Sequence, residues 1–367
     1  MKVLWLTWKD RNHPLAGGAE TVSGEIMDRL VRDGHEVRVI TASYSGSKKH
    51  DFINGAEVFR VGNRYSVYLA ARQLYKKQIN NWPDVVIDEM NTIPFGSAFY
   101  SSKRNILLAY QLAREVWFYQ MPFPLSLVGY VVEPFMLRSL AKRYSISATE
   151  SNSTKDDLAR YGFKNTQTFR IGINLPHLTQ LSQKQNPKTI LSLGSIRPMK
   201  RTLDAVKAFE YAKDGDSDLR MVIAGDASGK YGRKVIKYIS RSRHRDSIDF
   251  KGRVSADERL SLMRESGLIL VTSIKEGWGL IVTEANSQGT PAIAYDTDGL
   301  RDSIQDKQTG ILCPSGDFKC MGKQIVSLLA SYDTYEEMRR KSWQWSQQFT
   351  FENSYQDFIK IIAQLDT

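Results

Sequence analysis

Short runs of β-branched and other apolar residues alternate with helical stretches along most of the chain. This alternation predicts a parallel sheet, because parallel strands are joined by crossover helices. The pattern stops from Gly172 to Lys188, where Pro, Gln and Asn are frequent, and then starts again. We therefore expect an α/β chain of two Rossmann-like, doubly wound domains that face each other across a cleft.

The same pattern predicts the boundaries. We expect an N-terminal domain at residues 1–172, a linker at 173–188, a C-terminal domain at 189–348, and a last helix in 349–367 that packs back on the N-terminal domain. N-terminal strands are expected at Val3–Thr7, Glu36–Thr41, Val58–Val61, Val85–Asp88, Ile106–Tyr110, Ser145–Ala148 and Thr168–Ile171. C-terminal strands are expected at Thr189–Leu193, Arg220–Ala224, Ile248–Phe250, Leu268–Val271, Pro291–Ala294 and Gly310–Leu312.

The charge of the chain indicates its class of partner. Its 367 residues include 51 Lys and Arg against 40 Asp and Glu, a formal net charge of +11. Such a surplus attracts nucleic acid, anionic lipid or phosphorylated ligands. Cys313 and Cys320 alone cannot form a metal cage, and two cysteines indicate a reducing compartment. No signal peptide is expected, because Asp10 and Arg11 follow the first apolar residues at once, so a cytoplasmic location is predicted.

Two carboxylates flank a glycine-rich turn in the C-terminal half. Glu276 and Glu284 are the ends of the segment Glu-Gly-Trp-Gly-Leu-Ile-Val-Thr-Glu. The turn opens a helix whose first amides, near Gly279, Leu280 and Ile281, are free to bind an anion. A nucleotide sugar fits such a site, because backbone amides can bind its phosphates and carboxylates can bind its sugar hydroxyls. Two solvated glutamates beside a capped helix are the alternative.

The residues beyond this turn extend the pattern. An Ala-rich helix, Gly289-Thr-Pro291, a strand, a glycine loop and Thr309-Gly310 follow in that order. The whole run resembles the donor-site signature of the family 4 retaining glycosyltransferases of the GT-B fold, closely over residues 189–315 and more loosely before them. The resemblance implies a hexosyltransferase whose co-substrate is a UDP- or GDP-linked sugar and which needs no cofactor and no metal.

The resemblance also implies roles for single residues. Glu276 is expected to bind hydroxyls of the donor sugar, and Glu284 the ribose of the nucleotide. Val254 lies where relatives contact the base through the backbone. Asp296 and Asp298 superficially resemble a metal-binding pair, but this fold holds the diphosphate with side chains and helix ends, so no metal site is expected.

A second group of residues follows the first C-terminal strand. Its segment is Gly194-Ser-Ile-Arg-Pro-Met-Lys200-Arg, and phosphates often bind where a strand ends and a helix begins. Lys200 comes six residues after Gly194, as the diphosphate-binding lysine of the family does. The family usually has arginine directly after the glycine, where this chain has Ser195, so Arg197 is the expected substitute. A solvated basic helix start is the alternative.

The N-terminal domain contributes two further candidates. Gly17 and Gly18 open a helix after the first strand, and glycines let the backbone approach a ligand and offer amides to an anion. The resemblance implies that this loop faces the donor phosphates and the acceptor.

Tyr110 stands where relatives generally carry a histidine that lines the reaction centre. Of the five histidines of this chain, only His13 is placed to reach the cleft. Tyr110 is therefore the candidate catalytic residue there. In the family that this chain resembles, retention is usually explained by same-face attack in which the leaving phosphate accepts the acceptor's proton. A protein base is then not strictly needed, although general acid–base help normally contributes.

One apolar segment predicts an interaction surface. Val116–Val132 is rich in aromatic and aliphatic residues, and Arg138, Lys142 and Arg143 follow it. Prolines interrupt the segment, so a spanning helix is not expected. Apolar residues beside cations are typical of anchoring at an anionic membrane surface, with a buried lid or core segment as the alternative. The basic run Lys230–Arg245 is expected to be a solvated helix face, with contact to anionic lipid or to nucleic acid as the alternatives.

Three functions compete on these grounds. The first is a retaining glycosyltransferase that acts on a lipid-linked or polysaccharide acceptor, in the cytoplasm or peripherally on the cytoplasmic membrane face. The second is a catalytically silent relative that serves as a binding or scaffold subunit, for which Tyr110 in place of histidine is the reason. A nucleic-acid-binding protein is the third. No nucleic-acid partner is expected, because the basic residues are not interleaved with a base-reading motif.

Overall fold

The chain forms two compact units, which the computed structural model describes over residues 1–366. Unit 1 comprises Met1–Gly172 together with the residues from Thr350 onward, and unit 2 comprises Ile173–Phe349. Among the residues described, no helix is long and apolar enough to cross a membrane.

Unit 1 contains an eight-stranded sheet. Its strands are β1 (Lys2–Leu6), β2 (Glu36–Thr41), β3 (His50–Ile53), β4 (Ala56–Arg60), β5 (Val85–Met90), β6 (Arg104–Ala109), β7 (Ile146–Thr149) and β8 (Thr166–Thr168). Their spatial order is β3-β4-β2-β1-β5-β6-β7-β8. The β3–β4 pair is antiparallel and the other neighbours are parallel. Every residue of β5 is buried, as expected for a central strand with helices on both faces.

The connections in unit 1 are mainly helical. The helices are α1 (Gly18–Arg32), α2 (Val67–Leu74), α3 (Trp117–Gln120), α4 (Leu125–Ala141) and α5 (Asn152–Arg160). A π-helical turn, Tyr75–Ile79, extends α2. Glycine 17 precedes α1 and Ser151 caps α5 by accepting a hydrogen bond from the amide of Thr154. The loop that carries Gly17 therefore lies at the carboxyl end of β1.

Unit 2 contains a six-stranded parallel sheet. Its strands are β9 (Asn186–Leu193), β10 (Arg220–Ala224), β11 (Ile248–Gly252), β12 (Ser266–Val271), β13 (Ala292–Tyr295) and β14 (Gly310–Cys313). The spatial order is β11-β10-β9-β12-β13-β14. The chain therefore winds outward from β9 on one side and returns to the other side at β12. In such sheets ligands bind outside the carboxyl ends of the strands where the winding reverses, which here is between β9 and β12.

Helices cover both faces of this second sheet. They are α6 (Thr202–Lys213), α7 (Lys230–Ile239), α8 (Ala256–Glu265), α9 (Leu280–Ser287), α10 (Leu300–Ser303), α11 (Phe318–Ala330) and α12 (Tyr332–Ser346). Phe209 of α6 and Met321 of α11 are fully buried with Ile223 and Ile293 of the sheet in one hydrophobic core. This packing fixes the strand ends from which the candidate site is built.

The last helix, α13 (Phe351–Ala363), belongs to unit 1. Phe358 stacks on Trp5 of β1 with ring centroids 5.6 Å apart. The Tyr355 hydroxyl donates to Asp33 Oδ2 at 2.5 Å, and the Arg170 guanidinium donates to both carboxylate oxygens of Asp357 at 2.7 and 2.8 Å. Apolar and polar contacts together attach the end of the chain to its first domain.

The α/β class with two parallel-sheet domains is confirmed, but several expected strands lie elsewhere. The strand expected at Val58–Val61 is Ala56–Arg60, and the one expected at Thr168–Ile171 is Thr166–Thr168. Strand β3 was not expected at all. It pairs with β4 through Asn54-Gly55, both with positive φ, which is the usual two-residue hairpin turn.

The segment 173–188 differs from the expected linker. Strand β9 already begins at Asn186, and the residues before it pack on unit 2. The indole of Trp343 donates to the carbonyl of Leu178 at 2.9 Å, and the buried ammonium of Lys184 donates to the carbonyls of Arg264 and Gln288 at 2.7 and 3.1 Å. Burial lowers the pKa of Lys184 well below its usual value. Backbone carbonyls thus hold a segment that lacks any helical or strand period.

Candidate functional site

The two C-terminal motifs meet where the winding of unit 2 reverses. Gly194 directly follows β9, and Glu276 comes five residues after the end of β12. These strands are neighbours in the parallel sheet, so both motifs leave its carboxyl edge side by side. Gly194, Ser195, Lys200 and Thr272 line one recess there.

The turn that carries Lys200 is held by the end of β12. A 3-10 turn spans Pro198–Lys200, and Arg201 follows with φ +47°. The Thr272 hydroxyl contacts the carbonyl oxygens of Lys200 and Arg201 at 2.7 and 3.1 Å, and the amide of Ile274 donates to the carbonyl of Met199 at 2.9 Å. These bonds fix the backbone from which the lysine side chain extends.

Lys200 and Glu276 form an ion pair between Nζ and Oε1. The amide of Glu276 donates to the carbonyl of Asp298 at 3.1 Å. Gly299 lies against this bond at φ +79°, and a Cβ there would stand 2.4 Å from the carbonyl oxygen of Glu276. Glycine is therefore required at position 299, and the Glu276 backbone is fixed by its neighbours.

The glycine-rich turn leads directly into α9. Gly279 precedes the helix at φ +91° and carries no side chain that can cap it. The first amides of a helix have no partner within the helix, so those of Leu280 and Ile281 remain available to an anion. The Trp278 indole donates to the Thr283 hydroxyl at 2.8 Å and fixes the turn.

Glu284 lies one turn further along α9. Its side chain is 8% exposed, and its carboxylate pairs with the Arg259 guanidinium from α8. Burial raises the pKa of Glu284, while the positive charge of Arg259 opposes that rise. A ribose hydroxyl that binds this carboxylate must therefore lie beside the Arg259 guanidinium or displace it.

The other C-terminal candidates occupy separate positions on the same edge. Arg197 is exposed and precedes the 3-10 turn, and the ion pair at this turn joins Lys200 to Glu276 and does not include the Arg197 guanidinium. Val254 is half-buried and follows β11, two strands away from β9. The structure thus brings Lys200 and Glu276 into contact and leaves Val254 apart from them.

The Asp296–Asp298 pair lies between β13 and α10 and is balanced by cations. Arg301 Nε lies 2.7 Å from Asp296 Oδ1, and Lys275 Nζ lies 3.3 Å from Asp298 Oδ2. Within the described part of the chain, no group of three or more His, Cys, Asp or Glu side chains is arranged to hold a metal ion. Each carboxylate therefore has a basic partner in the structure.

The glycine loop of unit 1 differs from the expected anion site at one amide. Gly18 begins α1, but the amide of Gly17 donates to Glu20 Oε2 at 2.6 Å. Glu20 Oε1 in turn pairs with Lys9 Nζ at 2.9 Å. An internal carboxylate thus occupies the Gly17 amide that we expected to be free, because the residue three positions into a helix can reach back to its start.

Tyr110 is buried in a polar network rather than standing free at the strand end. Its hydroxyl lies 2.6 Å from Ser23 Oγ, which donates to Glu89 Oε2 at 2.8 Å. Glu89 also accepts from the Trp5 indole at 2.8 Å and from the Thr7 hydroxyl at 3.1 Å. Burial raises the pKa of Glu89 to about 7, and it raises that of Tyr110 well above 10. Tyr110 is thus a neutral hydrogen-bonding group at neutral pH.

His13 is held within its own loop. The amide of Leu15 donates to its Nδ1 at 3.0 Å, and its ring packs edge-on against Trp8 and Tyr44. Burial is the main cause that lowers its pKa, with Lys9 adding to it. These contacts favour a neutral, structural imidazole.

The apolar segment of unit 1 divides into a buried and an exposed part. Trp117 is buried, and its indole donates to Glu133 Oε2 at 3.0 Å. The same carboxylate accepts the amides of Ala113 and Arg114 at 2.8 and 2.7 Å, so Glu133 of α4 fixes the turn before α3. The exposed residues form what we call the α4 surface: Phe118, Tyr119, Phe123, Leu125, Leu127, Val128, Val131, Val132 and Phe135.

The sequence models of two protein families match consecutive parts of this chain. "Glycosyltransferase Family 4" matches residues 16–175, and "Glycosyl transferases group 1" matches residues 177–345. Between them they include the glycine loop of unit 1 and both motifs of unit 2.

Individual proteins are similar over the same regions. N-acetyl-alpha-D-glucosaminyl L-malate synthase of Bacillus anthracis is 24% identical, over 97% of this chain and 94% of the relative. Alpha-monoglucosyldiacylglycerol synthase of Streptococcus pneumoniae is 28% identical over 164 residues, which are 44% of this chain and 36% of the relative. The solved structure of Anabaena HepE in complex with UDP-glucose matches with a TM-score of 0.72 at 16% identity, over 99% of this chain and all of the other, which shows a shared fold.

Proposed function

The chain belongs to the family 4 glycosyltransferases of the GT-B fold, and we propose that it transfers a sugar from a nucleotide diphosphate sugar, with retention at the anomeric carbon. The proposed donor is UDP- or GDP-linked, and the structural neighbour that holds UDP-glucose favours UDP. The proposed acceptor is a lipid-linked or polysaccharide glycan. The streptococcal relative, named for a glucosylated diacylglycerol, supports the lipid class.

The contact between Lys200 and Glu276 carries this proposal. A lysine and a glutamate from two motifs meet at the one edge of the sheet where ligands of such folds bind. An ammonium suits a diphosphate, and a carboxylate suits sugar hydroxyls. Within the protein these two charges neutralise each other. A nucleotide sugar supplies a partner for each of them, so donor binding can exchange one ion pair for two sets of contacts.

The proposed reaction is a substitution on one face of the sugar. The acceptor oxygen bonds to the anomeric carbon on the face from which the diphosphate oxygen leaves. The leaving phosphate takes the acceptor's proton, so the products are a retained glycoside and a nucleoside diphosphate. Lys200 stabilises the charge that grows on the leaving group, Arg197 and the α9 amides add to it, and Glu276 orients the sugar.

No metal takes part in the proposed chemistry. Lys200 and the first amides of α9 supply positive potential to the diphosphate without a cation. Asp296 and Asp298, the carboxylates that most resemble a metal site, face Arg301 and Lys275 instead.

A thermal-shift screen tests donor binding directly. A ligand present at 100 times its Kd stabilises the folded state by about 2.7 kcal/mol. We expect UDP or GDP and the matching nucleotide sugar to raise the midpoint of unfolding, and Lys200→Ala to reduce that rise strongly. If no nucleoside diphosphate shifts the wild type at millimolar concentration, the donor site is wrongly assigned.

A transfer assay separates an active enzyme from a silent relative. The purified chain alone is incubated with labelled donor and with lipid and polysaccharide fractions, and both transfer and donor hydrolysis are followed. We expect transfer with an anomerically retained product. A silent relative would bind donor without turnover, and a gain of activity in Tyr110→His would then identify the missing histidine as the cause.

We also propose that the α4 surface binds an anionic membrane that presents the acceptor. Phe123 is 79% exposed and Phe135 is 67% exposed. Contact of such large apolar side chains with water is unfavourable, so a cluster of them on the surface indicates an interaction site. Arg138, Lys142 and Arg143 follow at the exposed end of α4. Apolar side chains next to cations suit insertion among anionic headgroups.

A further inference from the structure

The two cysteines of the chain meet at the carboxyl end of β14. Cys313 ends the strand and is fully buried, while Cys320 lies in the first turn of α11 and is half-buried. Their sulfur atoms are 2.8 Å apart, with the Cys320 thiol donating to Cys313 Sγ. A disulfide bond is about 2.0 Å long, so the sulfurs need to approach by less than about 1 Å to form one.

Backbone contacts hold both cysteines in this position. The carbonyl of Cys313 accepts the amide of Asp296 at 2.7 Å. Asp317 caps α11, and its Oδ1 accepts the amide of Cys320 at 2.8 Å. Since a strand end and a helix start fix the two residues separately, the thiols stay adjacent without a covalent bond between them.

We propose that Cys313 and Cys320 form a redox modification site, a dithiol that a low-molecular-weight disulfide oxidises reversibly to an intramolecular disulfide. Neither residue belongs to the donor site, so the inference is independent of the proposed function. The loop that the disulfide closes contains Gly316, which lies beside the guanidinium of Arg201, the residue after Lys200.

The different burial of the two thiols sets the order of the steps. The Cys320 thiolate attacks the external disulfide RSSR, forms a mixed disulfide Cys320–S–S–R and releases one RS⁻. Cys313 then attacks Cys320 Sγ, forms the Cys313–Cys320 bond and releases the second RS⁻. The two thiol protons end on the two released groups, so the cysteines lose two electrons and RSSR becomes two RSH.

Burial explains why Cys313 acts second. Its side chain is shielded from solvent, and burial together with the hydrogen bond from Cys320 raises its pKa far above the usual range. The half-buried Cys320 is the sulfur that an external disulfide can reach.

The proposal is tested by equilibrating the full chain in glutathione buffers in which the ratio of oxidised to reduced glutathione increases stepwise. Since the chain contains two cysteines, thiol titration and intact mass follow the pair directly. We expect the wild type to lose both thiols together, to lose two hydrogens in mass, and to retain no glutathione. The disulfide should raise the unfolding midpoint by about 5 °C, and dithiothreitol should reverse every change.

Single variants test the order of attack. Cys313→Ser should keep one glutathione on Cys320, because the resolving thiol is gone, and Cys320→Ser should not react while it is folded. Cys313→Ala replaces Cys313→Ser if serine unfolds the protein at this buried position. The proposal is overturned if the wild type keeps both thiols in oxidised glutathione alone, retains a stable glutathione adduct, or forms covalent dimers instead.

Discussion

Lys200 and Glu276 form an ion pair although 76 positions separate them in the sequence. Each follows one of two neighbouring strands, β9 and β12, so the sheet and not the local sequence creates the contact. The side chains are 29% and 17% exposed and remain reachable for a ligand. Because a partly exposed pair adds little to stability, its removal should affect binding much more than folding.

The first prediction is that Lys200→Ala and Glu276→Ala each remove most of the transfer activity. Loss of one charge-assisted contact should cost about 1.5–3 kcal/mol, which is roughly a 10- to 150-fold drop in kcat/KM at limiting donor. Lys200→Ala should be the more severe, because it leaves the Glu276 carboxylate to repel the diphosphate. Initial rates with the native acceptor and unfolding midpoints measure the two effects separately.

Lys188→Ala is the matched control for these variants. Lys188 stands in the amino-terminal half of β9, the strand that leads to the Lys200 turn, and pairs with Asp216 and Asp218, both at 3.0 Å. The variant therefore removes a lysine ion pair at the opposite end of β9 and leaves the carboxyl edge of the sheet unchanged. The site assignment fails if Lys200→Ala and Glu276→Ala are as active as Lys188→Ala.

The sequence was sufficient for the arrangement of the C-terminal motifs but not for their partners. Alternating strands and helices imply that Gly194 and Glu276 both follow strands of one parallel sheet. The pairing of Glu284 with Arg259 of α8, and the hold of Thr272 on the Lys200 turn, depend on how elements pack. Such contacts join positions far apart in sequence and leave no spacing pattern. For this reason neither Arg259 nor Thr272 was predicted to belong to the site.

A second prediction is that transfer continues in the presence of a chelator. In the proposed donor site, Lys200 and the α9 amides provide the positive charge that a diphosphate needs, and the Asp296 and Asp298 carboxylates have basic partners. Initial rates with and without EDTA, followed by addition of Mg²⁺ or Mn²⁺, measure the effect. A complete loss that a metal restores would mean that Asp296 or Asp298 binds a cation after all.

A third prediction concerns Glu89, whose pKa is about 7 because the carboxyl is buried and lies near Glu20. Since this folded-state pKa exceeds the unfolded value of about 4.5, folding favours the protonated form. The stabilising contribution is complete below about pH 4.5 and is lost as the pH rises through about 7. Relative to Glu89→Gln, the wild type should lose about 3 kcal/mol of unfolding free energy between pH 4.5 and 8.

Urea denaturation of both proteins at several pH values measures this difference. Glu115→Gln is the control, because Glu115 is an exposed carboxyl of the same unit. This variant removes one carboxylate of unit 1 without touching the buried network around Glu89. A pH-independent difference between wild type and Glu89→Gln would mean that the four side chains that donate to Glu89, namely Trp5, Thr7, Ser23 and Asn91, keep it ionised throughout.

The buried hydrogen-bond network around Tyr110 could not be predicted from the sequence. The predicted strand ended at Tyr110, close to the observed end of β6 at Ala109. The hydroxyl partner, Ser23, is 87 positions away on α1, and Glu89 beyond it is on β5. Neither the period of a strand nor the spacing of a motif relates these three residues, so a buried network was not expected.

The last prediction is reversible binding to anionic membranes through the α4 surface. Each cation near such a surface contributes about 1 kcal/mol, and the attraction falls off within a Debye length, so binding should weaken steeply with salt. Insertion of apolar side chains should leave a salt-resistant fraction that charge alone does not provide. Cosedimentation with neutral and anionic vesicles over a salt series measures both parts.

Two variants and one control separate these contributions. Phe123→Ala/Phe135→Ala should remove the salt-resistant fraction, and neutralising Arg138, Lys142 and Arg143 should remove the salt-sensitive one. Phe52→Ala is the control, because Phe52 is 64% exposed on β3 and lies outside the α4 surface. Trp117 is unsuitable for substitution, since its buried indole bonds to Glu133. If wild type ignores anionic vesicles even at low salt, the α4 surface does not bind membranes and a soluble acceptor becomes the better proposal.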